Sequence, residues 1–135
     1  MFDREAFEIE RAKELENALA DKELIALGRD FLARADTHKY GYYWNWMGLP
    51  ILQMPEDIAL TQEILWETKP DFVIEAGIAW GGSLAMYAAF QELQGFGQVI
   101  GIDVTIPEHN REAIMSVPVS HRIELIQGSS IDPEV

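Results

Sequence analysis

The stretch that decides the fold is Phe72-Val73-Ile74-Glu75-Ala76-Gly77-Ile78-Ala79-Trp80-Gly81-Gly82-Ser83. It opens with a short, continuously apolar run, which is typical of a strand buried in a parallel sheet. Gly77, Gly81 and Gly82 then allow a tight turn, and helix-forming residues resume from Ser83 to Leu93. The stretch therefore predicts a strand, a tight turn and a helix, which is the unit from which α/β sheets are built.

The alternation of strand and helix continues downstream. Val99 to Asp103 predicts a second buried strand that ends on a carboxylate, and Arg122 to Gln127 predicts a third strand. Between them, Thr105 and Glu108 have the spacing of a capping box, which predicts a helix from Pro107 to about Ser116. This order predicts right-handed crossovers and a Rossmann-like, doubly wound parallel α/β sheet. Such sheets commonly have five or six strands, so we expect a fragment, a truncated gene product or a partner that completes the sheet.

Two amphipathic helices are predicted upstream, in residues 1–38. Apolar residues recur there at helical spacing between Phe7 and Leu32. The aromatic segment from Tyr40 to Pro55 is predicted to be an ordered loop, used for packing or as a substrate platform. A helix is predicted from Pro55 to about Thr68, because proline followed by two carboxylates favours a helix start. Residues 39–135 are assigned to an incomplete nucleotide-binding domain.

The composition excludes several classes of partner. The chain has 23 acidic and 10 basic residues, a net charge of −13, so its field repels phosphate backbones and anionic membranes. Cysteine does not occur, which excludes disulfides and Cys-based zinc sites. No apolar run approaches the roughly 20 residues of a membrane span, and the first residues lack a signal-peptide core. We expect no nucleic-acid partner, no transmembrane segment and a cytoplasmic location.

The candidate ligand site lies at the carboxyl end of the first strand, where open α/β sheets bind ligands. Gly81 and Gly82 allow close approach of the backbone, and the helix start near Ser83 offers unpaired N–H groups. The glycine spacing differs from a dinucleotide fingerprint, and Glu75, two residues before Gly77, would repel a pyrophosphate. A carboxylate there suits the ammonium group of a methionine moiety, which favours S-adenosylmethionine over NAD.

Two further segments end at the same edge of the sheet. Asp103 closes the second strand, at an interval after Glu75 close to that at which a carboxylate reaches ribose hydroxyls. Ser129, Ser130 and Asp132 follow the third strand and suit the adenine amine or ring nitrogens. Structural alternatives stay open, since Asp103 can be a solvated strand end and the other three can be turn or cap residues. The histidines at positions 38, 109 and 121 lack the spacing of metal ligands.

At these residues the chain resembles the cephalosporin hydroxylase and rhamnosyl O-methyltransferase family, which has a class I, S-adenosylmethionine-dependent methyltransferase fold. The resemblance runs from about Tyr43 to Asp132 and includes Trp46 to Gln53, Pro55-Glu56-Asp57, Lys69-Pro70-Asp71, Glu75 to Ser83, Gly101-Ile102-Asp103 and Gly128-Ser129-Ser130. The pattern from Glu75 to Ser83 also resembles the catechol O-methyltransferase loop, which implies that these two residues face the methionine moiety. By the same resemblance, Asp103 holds the ribose and Ser130 lies at the adenine. The residues expected to bind the cofactor are Glu75, Gly77, Trp80, Gly81, Gly82, Ser83, Asp103, Ser129, Ser130 and Asp132.

The resemblance implies methyl transfer to a hydroxyl of a saccharide, a glycolipid or an antibiotic-like small molecule, often with magnesium. In those relatives the metal-binding carboxylates lie on later strands, so we assign no catalytic and no metal-binding residue in this chain. Two alternatives remain, a non-catalytic remnant that binds a nucleoside or forms part of an oligomer, and a nicotinamide oxidoreductase. The open edge of a three-stranded sheet favours a homo-oligomer.

Overall fold

The computed structural model describes residues 3–135, and the chain divides into two compact units, Met1–Tyr40 and Gly41–Val135. The first unit contains the two predicted helices, α1 (Arg4–Ala20) and α2 (Lys22–Asp36). Asp21 caps α2, because its Oδ1 accepts from the N–H groups of Glu23 and Leu24, both at 3.0 Å. Both helices, as described, lack buried residues. No helix within residues 3–135 is long and apolar enough to span a bilayer.

A short antiparallel hairpin stands in the second unit where we predicted a loop. Strand β1 (Trp44–Trp46) pairs with β2 (Leu49–Ile51) across Met47 and Gly48, whose φ angles are +49° and +84°. Two successive positive φ angles are those of a type I′ turn, which matches the twist of paired strands. The loop prediction was wrong because each strand has only three residues and Pro50 lies within β2, where a proline weakens the strand signal.

The remaining elements form a three-stranded parallel sheet with the order β3–β4–β5. The strands are β3 (Phe72–Ala76), β4 (Gln98–Asp103) and β5 (Ile123–Gln127), and the helices are α3 (Pro55–Thr68), α4 (Gly82–Gln94) and α5 (Glu108–Met115). Helices α4 and α5 connect successive parallel strands. Short 3₁₀ turns occupy Tyr40–Tyr42 and Ser120–Arg122. The predicted α/β fold, preceded by two helices, is confirmed.

The start of α5 differs from the prediction. Its N-cap is Pro107, for which the described residues supply no side-chain capping bond, so the capping box of Thr105 and Glu108 is not formed. The Thr105 N–H instead donates to Oδ1 of Asp103 at 3.2 Å. The turn after β4 is therefore stabilised by the carboxylate that ends the strand, because Thr105 lies too early in the chain to cap α5.

One face of the sheet carries the hydrophobic core. Leu84 and Ala88 of α4 and Ile114 of α5 are fully buried, in one cluster with Val99 of β4 and Ile123 of β5. Burial of such side chains is the main favourable contribution to folding. The two crossover helices therefore stabilise the sheet by packing against one of its faces.

The other face of the sheet is left open by the described residues. The register aligns Ile74 of β3 with Ile100 of β4, and Ile102 of β4 with Ile126 of β5. Phe72 and Ile74 are 60% and 65% exposed. The prediction that Phe72-Val73-Ile74 is a buried strand was therefore wrong, because β3 is at the edge of the sheet and the crossover helices α4 and α5 pack on the opposite face.

Candidate functional site

The loop from β3 to α4 depends on backbone conformations that glycine adopts readily. Gly77 and Gly81 have φ angles of +87° and +80°. The Gly77 N–H donates to the carbonyl oxygen of Ile102 at 2.8 Å, and the Gly81 N–H donates to that of Ile78 at 2.8 Å. A side chain at either position would be strained. The glycines of the motif thus form a compact loop at the carboxyl end of β3.

Ala79, in the same loop, has a φ of +45°, which costs a non-glycine residue about 1–2 kcal/mol. Its carbonyl oxygen accepts a hydrogen bond from Nδ2 of Asn110 at 2.7 Å. Asn110 is 5% exposed and belongs to α5, so a buried amide supports this loop from the next crossover. We did not predict a role for Asn110, because a single polar residue within a short amphipathic helix carries no such signal.

Glu75 is the central charged group of the site. Its Oε1 accepts from the Ser83 hydroxyl at 2.6 Å, whereas its Oε2 is buried with no hydrogen-bond partner among the described residues. Burial raises the pKa of Glu75, and the hydrogen bond from Ser83 opposes this with a smaller effect. A buried acceptor without a donor is costly, so a ligand that brings an N–H group would stabilise this carboxylate.

A cavity of about 140 Å³ lies beside this carboxylate. Its lining residues are Pro50, Leu52, Gln53, Glu75, Gly77, Ile78, Ala79, Trp80 and Ser83. Strand β2 and the segment after it therefore form one wall, and the segment from the end of β3 to the start of α4 forms the other. Within that first wall, Gln53 donates through Nε2 to the Tyr87 hydroxyl at 3.2 Å. Gln53 lies in the stretch that resembles the methyltransferase family, but we did not predict that it lines the site.

A second cavity of about 150 Å³ lies at the ends of β4 and β5. It is lined by Gly77, Ile102, Asp103, Val104, Gly128, Ser129 and Ser130. Oδ2 of Asp103 accepts from the Ile78 N–H at 3.0 Å, so this carboxylate also fixes the loop after β3. Carboxylate oxygens have spare lone pairs, and Asp103 can therefore accept further bonds from a ligand. Since Gly77 lines both cavities, the two adjoin at this residue.

The structure brings together seven of the ten residues predicted to bind the cofactor. Those that line the cavities are Glu75, Gly77, Trp80, Ser83, Asp103, Ser129 and Ser130. Gly81 and Gly82 are buried at the start of α4 and line neither cavity. Asp132 is exposed and is not a lining residue, and its Oδ1 accepts from the Glu134 N–H at 3.0 Å. Their roles in binding stay predictions.

No group of three or more histidine, aspartate or glutamate side chains in residues 3–135 is arranged to hold a metal ion. The arrangement offers instead a buried carboxylate in one cavity and a second carboxylate with two serines in the adjoining one. Such a pair of cavities can accommodate an elongated ligand that has a hydrogen-bond donor group at each end.

The fold is that of a Rossmann-like α/β domain, and the two cavities place its candidate ligand site at the carboxyl ends of the parallel strands. The profile of the rhamnosyl O-methyltransferase/CmcI family matches residues 38–135. The chain belongs to this family of methyltransferases.

Individual relatives agree with this assignment. A rhamnosyl O-methyltransferase of Mycobacterium leprae (strain TN) is 36% identical over 77 residues, which covers 50% of this chain and 33% of the relative. The apo structure of CmcI-N160 superimposes with a TM-score of 0.53 and 33% identity, covering 67% of this chain and 38% of the other. A structure of CmcI-N160 with SAH gives a TM-score of 0.50 and 34% identity, covering 64% and 43%. The chain thus spans about a third of the length of the curated relative.

Proposed function

We propose that this chain is the cofactor-binding part of an S-adenosylmethionine-dependent O-methyltransferase. The observation that carries the proposal is Oε2 of Glu75, a buried acceptor without a partner in the described part of the chain, beside a cavity at the end of β3. The ammonium group of a methionine moiety would supply the missing donor. Asp103 in the adjoining cavity would accept from the ribose hydroxyls, and Ser129 and Ser130 would lie towards the adenine.

The charge of the loop supports this ligand over NAD. A pyrophosphate placed beside Glu75 would meet a carboxylate in a buried setting, where repulsion between like charges is strong. The SAH bound to the related CmcI-N160 structure supports the same choice, since SAH is the demethylated form of S-adenosylmethionine. The side chains of this site therefore match a ligand that presents an ammonium group at one end and a neutral nucleoside at the other.

Bound at this site, S-adenosylmethionine would supply a methyl group on a sulfonium, which passes to an acceptor oxygen as the carbon–sulfur bond breaks and a base takes the hydroxyl proton. The residues of this chain would bind and orient the two ends of the cofactor. We further propose a saccharide or glycolipid hydroxyl as the acceptor, in keeping with the name of the rhamnosyl relative. We expect this chain to bind the cofactor without transferring its methyl group, since the proposal assigns none of its residues to activating the acceptor hydroxyl.

Calorimetry with S-adenosylhomocysteine and NAD tests the proposal. We expect binding of S-adenosylhomocysteine to exceed that of NAD, and Asp103→Ala to weaken the former by about 1–3 kcal/mol, the cost of leaving polar groups unpaired. Glu112→Ala is the comparison variant, because this carboxylate is exposed on α5 and lines neither cavity. Tighter binding of NAD, or an unchanged affinity in Asp103→Ala with an unchanged circular dichroism spectrum, would contradict the assignment.

A methyl-transfer assay distinguishes the proposed function from the alternative of a non-catalytic nucleoside-binding protein. Transfer of a radiolabelled methyl group is measured across saccharide and glycolipid acceptors, with magnesium present. The assay is run on this chain alone and on a mixture of this chain with a second chain, the downstream half of a family member. Activity that appears only in the mixture supports the division into binding and catalytic parts. Activity of this chain alone would place the catalytic groups within it.

A further inference from the structure

We propose that Gln53 is a second binding residue for the ammonium group of the ligand, and that it acts together with Glu75. The inference rests on the proposed function, and it assigns a specific role to a residue outside the glycine-rich motif. Gln53 follows β2, so it reaches the cavity from the hairpin rather than from the sheet.

The evidence begins with the two ends of the Gln53 amide. Nε2 donates to the Tyr87 hydroxyl at 3.2 Å, which links the segment after β2 to α4. Oε1 is buried, and nothing in the described part of the chain donates to it. A buried amide oxygen without a donor lowers the stability of the unliganded protein. Two residues that line the cavity thus each have a buried acceptor without a donor in the described part of the chain, Oε1 of Gln53 and Oε2 of Glu75.

Two unpartnered acceptors in one cavity favour a ligand group that only donates. An ammonium group has three N–H donors and no acceptor, so it can bond to both oxygens and also neutralise Glu75. The Tyr87 hydroxyl stays neutral and adds no second negative charge beside Glu75, because burial and the charge of Glu75 both raise its pKa above the usual 10.0. A carboxylate or phosphate at this position would add acceptors where donors are missing.

The alternative is that Gln53 only ties the hairpin segment to α4 through Tyr87. A purely structural role predicts a loss of stability on substitution, with equal effects on every ligand of the cavity. A binding role predicts an effect that depends on whether the ligand carries the amine.

Gln53→Met removes the amide and keeps the length of the side chain. Binding of S-adenosylhomocysteine and of its deaminated analogue, in which hydrogen replaces the amine, is measured by calorimetry on the full chain. We expect the affinity for S-adenosylhomocysteine to fall about tenfold or more, as for a lost hydrogen bond to a charged group. The affinity for the deaminated analogue should stay within about twofold of its value in the unaltered protein. Equal losses for the two ligands, or no loss for either, overturn the proposal.

Gln94→Met is the matched control. Gln94 also donates to an oxygen, the carbonyl of Leu65 at 3.2 Å, and its Oε1 is likewise buried without a partner in the described chain. It lines a different, apolar pocket, so this variant should leave the affinities for both ligands unchanged.

A second variant covers the case in which Gln53→Met fails to fold. Tyr87→Phe removes only the hydroxyl that holds Nε2, and it should lower the preference for S-adenosylhomocysteine over the deaminated analogue about threefold. An unchanged preference overturns the inference. If the unaltered chain binds S-adenosylhomocysteine but does not prefer it to the analogue, the role of Gln53 fails while the proposed function stands. If it binds neither ligand, the proposed function fails as well.

Discussion

Glu75 is subject to opposite requirements from folding and from binding. In the unliganded protein its burial disfavours the charged form, and only the Ser83 hydroxyl offsets part of that cost. The ammonium group of the proposed ligand favours the charged form. Glu75, which we propose makes the site selective, is therefore expected to lower the stability of the domain when no ligand is bound, as buried charges at binding sites commonly do.

Glu75→Gln should raise the thermal midpoint of the unliganded chain at neutral pH and weaken binding of S-adenosylhomocysteine. Because the folded pKa of Glu75 is raised above 4.5, the folded state holds its proton more tightly than the unfolded state. The stability supplied by this tighter proton binding is fully present below the pKa of Glu75 in the unfolded state. It is lost as the pH rises through the pKa of Glu75 in the folded state. The variant should therefore be more stable than the parent at neutral pH, with the difference shrinking towards about pH 4.

Thermal unfolding followed by circular dichroism from about pH 4 to about pH 8 measures this difference. Ser83→Ala is the companion variant, since it removes the one hydrogen bond that lowers the pKa of Glu75. It should increase the pH dependence. A parent protein that gains stability over Glu75→Gln as the pH rises would contradict the account.

At the scale of elements, the site is formed where the hairpin packs on the start of α4. Leu49 and Ile51 of β2 are buried, and the ring of Trp46 lies 5.8 Å from that of Phe90 in α4. Gly82 makes the close approach feasible, because a Cβ there would lie 2.4 Å from the carbonyl oxygen of Pro50. The position of the β2 wall of the cavity thus depends on Gly82 of α4 having no side chain.

Gly82→Ala should lower the free energy of unfolding of the second unit by about 1–3 kcal/mol, the usual cost of overpacking. The close contact is with backbone, which cannot move aside as a flexible side chain can. Gly41→Ala is the control, since a Cβ there meets only Met54 Sδ at 3.8 Å and the φ angle is not positive. Urea unfolding followed by tryptophan fluorescence compares the two. Equal stabilities of the two variants would contradict the packing argument.

Most helices and strands of the second unit could be predicted, because the sequence patterns that indicate them are local. The start of α3 at Pro55, the glycine turn after β3 and the apolar run of β4 each depend on neighbouring residues in the sequence. The hairpin was missed, because each of its strands has three residues, whereas alternation is recognised over about four to eight residues. Gln53 and Asn110 were missed as site residues, because their roles arise from contacts with residues 34 and 31 positions away.

At the scale of the whole molecule, an open apolar sheet face coexists with a strongly acidic composition. Phe72 and Ile74 lie exposed on one face of β3, and the net charge is −13. Exposed apolar patches promote association, whereas a high net charge opposes it. The predicted homo-oligomer therefore depends on the balance of these two effects.

The chain should self-associate more strongly as salt is added, because ions screen the repulsion between copies but leave the apolar contact intact. Ile74→Lys places a charge on the open face and should reduce association, measured by light scattering on a sizing column at low and high salt. Ile64→Lys is the control, because Ile64 is 50% exposed on α3 and the substitution changes the net charge by the same amount. Association that weakens with salt, or that is equally reduced by both variants, would argue against this face.

The bond between Gln53 and Tyr87 also bears on the order in which the domain forms. These residues lie 34 positions apart, and the hairpin that brings Gln53 to the cavity has strands of only three residues. Such a hairpin is unstable alone, so we expect it to form by docking on an α4 that is already in place. The pocket is then expected to be among the last parts of the domain to be completed during folding. We also expect it to be among the first to open in a fluctuation that leaves the parallel sheet intact.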